Sequence, residues 1–240
     1  MTRWEPETLT LTVDHAHLVE LARLHRGLDP LEGASSALVE AGLVGPDGVD
    51  ELAGTLAAVA VGPLRASVVE RFDGAALRPL FVGWVPDGDA FVAGPDAEGR
   101  VAVTGTRLRD VPDLLARWTG LDTAVDVEGR IPMQTTTSLV DALVSGGEVA
   151  EGKAEGLEGL VAAWRSGWRA TGNWGDAEAD VGLTVVDAGD RGLWRVVHGG
   201  RRDVEEVDVA LVPVTVAVVL AGLGDVVTGR RSPPRGGSSR

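Results

Sequence analysis

The sequence predicts an α+β fold in which two similar halves merge their strands into one antiparallel sheet, with helices at both ends of each strand meander. Three observations predict it. Segments of helical and of strand period alternate along the 240 residues. The strand-period segments come in groups separated by Asp-Gly and Gly-Gly turns, as in hairpins joined into a meander. The order of segments then recurs at an offset of about 100 residues, too long for a solenoid repeat and suited to a duplicated half. Merging follows because each half alone would leave a sheet edge unpaired.

The first half opens with a strand at Leu9–Val13, where apolar and polar residues alternate. Asp14 caps a helix that places Leu18, Val19, Leu21, Ala22 and Leu24 on one face, and Gly27 to Pro30 stops it. Ser35 or Ser36 starts a second helix carrying Leu38, Val39 and Ala41. After the turn Pro46-Asp47-Gly48, a third runs over Val49–Val61 with Leu52, Leu56, Val59 and Ala60 on one side. Past Gly62-Pro63 the period changes to two. Strands are predicted at Leu64–Phe72, Leu77–Pro86, Ala90–Ala93 and Arg100–Thr106. Asp110 then caps a helix with Val111, Leu114, Leu115 and Trp118, and Pro112 fits its first turn.

The second half repeats this order. Thr135–Ser145 resembles Ala34–Val44 in type, with hydroxyls followed by Leu-Val-acid-Ala. Glu151–Trp168 has helical spacing through Leu157, Leu160, Val161 and Trp164. Strands are predicted at Trp168–Trp174, Val181–Val186, Gly192–Val197 and Asp203–Val212, and an apolar helix at Pro213–Val227. Asp89–Ala93 matches Gly192–Val196, and Arg100–Thr106 matches Val204–Leu211. The expected organisation is one domain over 1–228, with halves at about 8–121 and 133–228. A disordered tail over 229–240 carries four Arg and no acid.

Composition narrows the chemistry. Hydrophobic residues make up 44% of the chain, enough for a sizeable core and too many for a disordered chain. There is no Cys, which removes disulfides, thiolate metal sites and thiol nucleophiles. The 36 acids outnumber the 22 bases, for a net charge of −14, so nucleic acid and anionic membranes are repelled. Residues 1–20 hold four acids and no signal-like apolar run. The longest uncharged stretch, Val209–Gly224, is short of the roughly 20 residues that span a bilayer. A soluble cytoplasmic protein is expected.

No catalytic signature emerges. His15 and His17 stand two apart on a predicted helix and point to different faces, so they do not share a metal. The only lysine, Lys153, lacks a P-loop around it, and neither Gly-x-Gly-x-x-Gly nor Gly-x-Ser-x-Gly occurs. Gln134–Ser138 reads as a helix cap, and Glu205, Glu206 and Asp208 as a solvated strand face. The aromatic set says more: seven Trp, three Phe and no Tyr. Trp84, Phe91 and Trp194 fall in strands, and Trp164, Trp168 and Trp174 cluster before the second meander. Aromatics dominate cores, but Trp is also enriched at binding hot spots, so one or two are expected on an exposed apolar patch.

The order and types resemble the EspG family, cytoplasmic chaperones of type VII (ESX) secretion in actinobacteria. The segments carrying the resemblance are Leu38–Val44 with Asp47-Gly48, the Gly62-Pro63 step into the first meander, and Gly99–Thr106 leading into Leu114–Leu121. Leu193–Val196, Val209–Val212 and Pro213-Val214-Thr215 complete it, so it spans about residues 8–228. It implies a quasi-two-fold fold with a central antiparallel sheet flanked by helical bundles. It also implies a chaperone, not an enzyme, with no cofactor and no metal. Such a chaperone binds a helical secretion substrate, a PE–PPE pair or a WXG-type protein, and keeps it soluble for export. In the family the loop between the second and third meander strands contributes contacts. Here that loop is the short Val85-Pro86-Asp87-Gly88-Asp89. The expected partner-binding residues are Trp84, Asp87, Asp89, Phe91, Trp168, Trp174 and Trp194, in a monomer or weak homodimer.

The alternative from another class is a small α+β hydrolase or ligand-binding protein using its His and Asp residues. It predicts a concave pocket ringed by titratable groups. The chaperone predicts a shallow apolar surface rimmed by charge.

Overall fold

A computed structural model describes residues 2–30, 35–61, 66–74, 77–84, 89–127, 129–145, 149, 154–173, 181–198 and 208–228. The fold is α+β, and its strand pairs are antiparallel. The chain forms two compact units. The first comprises 1–68 with 79–111, and the second 69–78 with 112–240.

Unit 1 contains β1 (Arg3–Glu5), β2 (Thr10–Val13), α1 (His15–His25), α2 (Ser35–Glu40), β3 (Val44–Gly45), β4 (Gly48–Val49) and α3 (Glu51–Val61). It also holds the start of β5 (Ala66–Phe72), most of β6 (Leu77–Trp84), β7 (Asp89–Pro95) and β8 (Val101–Arg107). Its strands lie in the order β1-β2-β8-β7-β6. The alternation read in the first strand becomes burial: Leu11 and Val13 are inside, Thr10 and Thr12 less so. Leu11, Val13, Phe91, Ala93 and Val103 pack under Leu18, Leu21 and Ala22 of α1 and Ala53, Leu56 and Ala57 of α3. Each buried leucine there contributes roughly 1.5–3 kcal/mol. Asp50 caps α3 by accepting the Ala53 amide at 2.9 Å. Asp14 stands at the N-cap of α1 but makes no capping bond, and its carboxylate lies 3.5 Å from His17 Nδ1. At the other end of α1, Gly27 takes φ +72° and the Leu28 amide reaches back to the Arg23 carbonyl, which closes the helix.

Unit 2 contains the tip of the β5–β6 hairpin and all but the first residue of α4 (Val111–Thr119). It continues with β9 (Met133–Thr136), α5 (Thr137–Ser145), α6 (Glu158–Ala162), β10 (Ser166–Asn173), β11 (Val181–Asp187), β12 (Leu193–His198), β13 (Asp208–Val214) and α7 (Val216–Thr228). Its strands lie in the order β10-β11-β12-β13-β9. This sheet is covered on both faces. Val186, Trp194, Val196, Val209 and Leu211 pack with α5 and α6. Trp168 pairs in register with Val185, one residue out of phase with Gly167, which lies against α5. Trp168 therefore faces the other side, where α7 covers β10 and β11. No helix among the described residues is long and apolar enough to cross a membrane.

Four boundaries differ from expectation. Residues 133–136 form a strand before the helix at Thr137, so the hydroxyl run is both β9 and the approach to α5. The helix expected over Glu151–Trp168 is, in its described part, only Glu158–Ala162, and Trp168 belongs to β10. Pro213 is the penultimate residue of β13 instead of the opening of α7. β9 pairs with β13 only as far as Leu211, so the missing N–H of Pro213 falls where β13 has lost that neighbour. Finally, α4 and the hairpin tip go with the second unit. Arg71 Nη1 donates to the Trp118 carbonyl at 2.8 Å, and the Phe72 ring stacks on Trp164 at 5.6 Å.

Candidate functional site

Three of the expected contact residues are core. Phe91, Trp168 and Trp194 are 1%, 0% and 2% exposed. Phe91 packs beneath α1 and α3, Trp168 lies on the α7 face, and Trp194 packs with α5 and α6. Aromatic area stabilises most when fully removed from water, and these strand positions point inward by the two-residue period. The Trp84 side chain, Asp87 and Trp174 lie outside what the structure describes. Asp89 is exposed at the start of β7 and lines a trough.

That trough, of about 540 Å³, lies wholly in unit 1. Leu9, Leu52, Leu56, Ala90 and Gly105 give it an apolar floor, and Glu7, Asp89, Arg107 and Asp110 give it a charged rim. Leu52 comes from the first turn of α3, and Asp89 and Arg107 sit opposite each other in the β7–β8 ladder. Leu52 is 55% exposed and Leu9 37% exposed. Leu9 is also strained. Its φ of +50° is the one left-handed value at a non-glycine among the described residues. Such a conformation costs roughly 1–2 kcal/mol. It is held by the Gly105 amide, which donates to the Leu9 carbonyl at 2.9 Å, and by the Leu9 amide, which donates to Pro6 at 3.3 Å. Gly105 is needed beneath it: a Cβ there would come within 3.3 Å of the Leu9 Cβ and 3.4 Å of Leu56. Strain held in this way concentrates at binding and switch sites.

Chemically the trough offers apolar contact and mostly negative charge. Thr55 on its wall has its Oγ1 3.5 Å from His25 Nε2, at the limit of a hydrogen bond. The His25 ring lies over Gly54, and no ion pair joins it to a carboxylate among the described residues. A nucleophile–base–orienter chain is therefore incomplete there. No group of three or more His, Asp or Glu able to hold a metal is found among the described residues.

The residues missed from the sequence are Leu9 and Leu52. By sequence alone Leu9 opens a strand and Leu52 lies on a helix face. The comparisons add no relative: no family model matches the chain, and no curated protein matches it.

Proposed function

We propose that this protein is a cytoplasmic, EspG-like chaperone that binds a helical type VII secretion substrate, a PE–PPE pair or a WXG-type protein, and performs no catalysis. The observation that carries the reading is the trough around the strained, half-exposed Leu9. An apolar helix ridge laid into it would cover Leu9 and Leu52, and the acidic rim suits basic residues flanking that ridge. The recurring order of elements supports the finer fold that the reading requires. Along the chain from β2 through α4 the order is strand, helices, four-strand meander and helix. In unit 2 the same order runs from β9 through α7. In each, the opening strand lies beside the last meander strand, β2 by β8 and β9 by β13.

The test is co-purification with any WXG-type or PE–PPE proteins that the neighbouring genes encode, followed by titration of the purified pair. Leu52→Asp should weaken that complex by tenfold or more, about 1.4 kcal/mol, and leave the urea midpoint near the parent value. An unchanged affinity, or no complex with any such neighbour, would remove the proposal.

A further inference from the structure

Unit 2 has its own cavity, of about 250 Å³, with a different chemistry from the trough. Arg130 and Arg191 line it together with Ile131, Met133, Leu157, Leu160 and Trp194, and glycines 129, 156 and 159 complete the wall. Among the described residues no carboxylate lines it, and Glu158 beside it accepts the Gly156 amide at 3.1 Å. In a chain with 36 acids and 22 bases, two guanidinium groups around one small apolar cavity run against the overall charge.

Both arginines are placed. The Arg130 guanidinium carbon lies 5.8 Å from the centroid of the Trp194 ring, a cation–π distance. Its Nε is buried with no hydrogen-bond partner among the described residues, a cost of about 1–3 kcal/mol that an acceptor would remove. The ring beneath it is fixed, because Trp194 Nε1 donates to the Arg191 carbonyl at 3.0 Å. The turn that carries Arg191 is fixed in turn by the Gly189 amide, which donates to Asp187 Oδ1 at 2.8 Å. The Arg191 guanidinium lies over Gly159, where a Cβ would sit 2.6 Å from Nη1. Glycine in α6 costs helix stability, and the close approach of Arg191 is what its missing side chain permits.

We infer that this cavity binds a carboxylate carried on a small apolar body. Planar guanidinium forks match a carboxylate in two parallel hydrogen bonds. The remaining wall, Trp194, Met133, Leu157, Leu160 and the 77%-exposed Ile131, accepts a group about the size of one aliphatic side chain. A free branched acid and the C-terminal residue of a chain share this chemistry.

The test uses the isotopically labelled full chain, with N-acetyl-leucine and N-acetyl-leucinamide as probes. The acid should shift the Trp194 indole signal and the Gly156 and Gly159 amides, and the uncharged amide should bind at least about tenfold more weakly. Arg191→Gln and Arg130→Gln should each cost about tenfold in affinity for the acid. Gly159→Ala should weaken the acid while leaving or raising the thermal midpoint, since it displaces Arg191 but favours the helix. Acetyl-Gly-Gly-Leu binding more tightly than 4-methylpentanoate would make the natural source a chain end, and the reverse a free acid. Equal binding of acid and amide, or no shift at those three signals, would overturn the inference whatever the variants do.

Discussion

The trough of unit 1 and the cavity of unit 2 occupy the same place in the order of elements. Each is built from the segment before the opening strand, from the helix before the meander, and from the start of the third meander strand. In unit 1 these are residues 7–9, α3 and the start of β7; in unit 2 they are residues 129–133, α6 and β12 with the turn before it. The aromatic that faces the helices from the third strand is Phe91 in one and Trp194 in the other. The electrostatics are opposite: Glu7, Asp89 and Asp110 against Arg130 and Arg191. The volumes differ too, about 540 Å³ for the trough against about 250 Å³ for the cavity. A core built by strand alternation and helix periodicity can be kept while the loops at one end change sign, because the rim residues contribute little to that core. Function is expected to differ between the two ends even where the scaffold agrees.

The largest effects should come from the glycines that set each scaffold. In unit 2, an alanine Cβ at Gly167 would lie 2.5 Å from the Leu143 carbonyl oxygen and 2.9 Å from the Val144 Cα, both backbone of α5. No side-chain rotation relieves that clash. Gly167→Ala should cost about 3 kcal/mol, read as a fall in the urea midpoint. In unit 1, a Cβ at Gly83 would fall 2.0 Å from Cε1 of Phe91, its cross-strand partner. Here the obstacle is a ring. Adding Phe91→Leu to Gly83→Ala should recover part of the loss, and the double-mutant cycle should show coupling of about 1 kcal/mol or more. If Gly167→Ala is harmless, the packing of α5 on β10 is looser than the geometry requires.

The scaffold was largely legible for a simple reason. Period-two alternation with Asp-Gly turns located β5 through β8, and helical spacing located α1, α3 and α4. β9 was hidden because Met133–Thr136 is short and polar, and its hydroxyls are equally good helix starters. The Leu139 amide does reach Thr136 Oγ1, at 3.5 Å, so the same residue serves strand and cap. That ambiguity also misdirected the repeat. Thr135–Ser145 was aligned with Ala34–Val44, whereas α5 follows its strand directly, as α1 follows β2. The candidate sites were less legible because exposure is a tertiary quantity. Tryptophan identity cannot report which face of a strand is covered, and α7 buries Trp168 from a distance of about 50 residues along the chain. Leu9 gave no sign at all, since strain at a leucine is written in the backbone and not in the residue type.

A smaller effect separates strain from packing at the trough. Leu9→Gly relieves the left-handed backbone but removes an apolar wall. Stability should change by no more than about 1 kcal/mol in either direction, because relief and lost burial oppose each other. Client binding should fall, since the wall of the trough is gone. If stability drops by several kcal/mol instead, Leu9 is a core residue and the trough loses its main support. The wall of the unit 2 cavity holds no non-glycine residue in the left-handed region, so the trade of strain relief against lost burial belongs to the trough.

The smallest effect concerns the turn between β7 and β8. Asp96 accepts the Glu98 and Arg100 amides at 2.9 Å each and the Arg100 guanidinium at 2.8 and 2.6 Å. Desolvation opposes its ionisation, but the bonds from the Arg100 side chain and the two amides outweigh it and hold the carboxyl below its usual value of 3.8. The same pairing raises Arg100, which stays charged throughout. A carboxylate whose folded value is depressed contributes stability above its unfolded value and loses it as pH falls through the folded one. Asp96→Asn should therefore lower the midpoint slightly at neutral pH. The gap should begin to close below about pH 4 and vanish once the wild-type carboxyl is protonated as well. Midpoints measured across that range for both chains decide it: a gap independent of pH would mean that the aspartate acts by shape and not by charge. The corresponding connection in unit 2, between β12 and β13, runs through 199–207, outside the described residues.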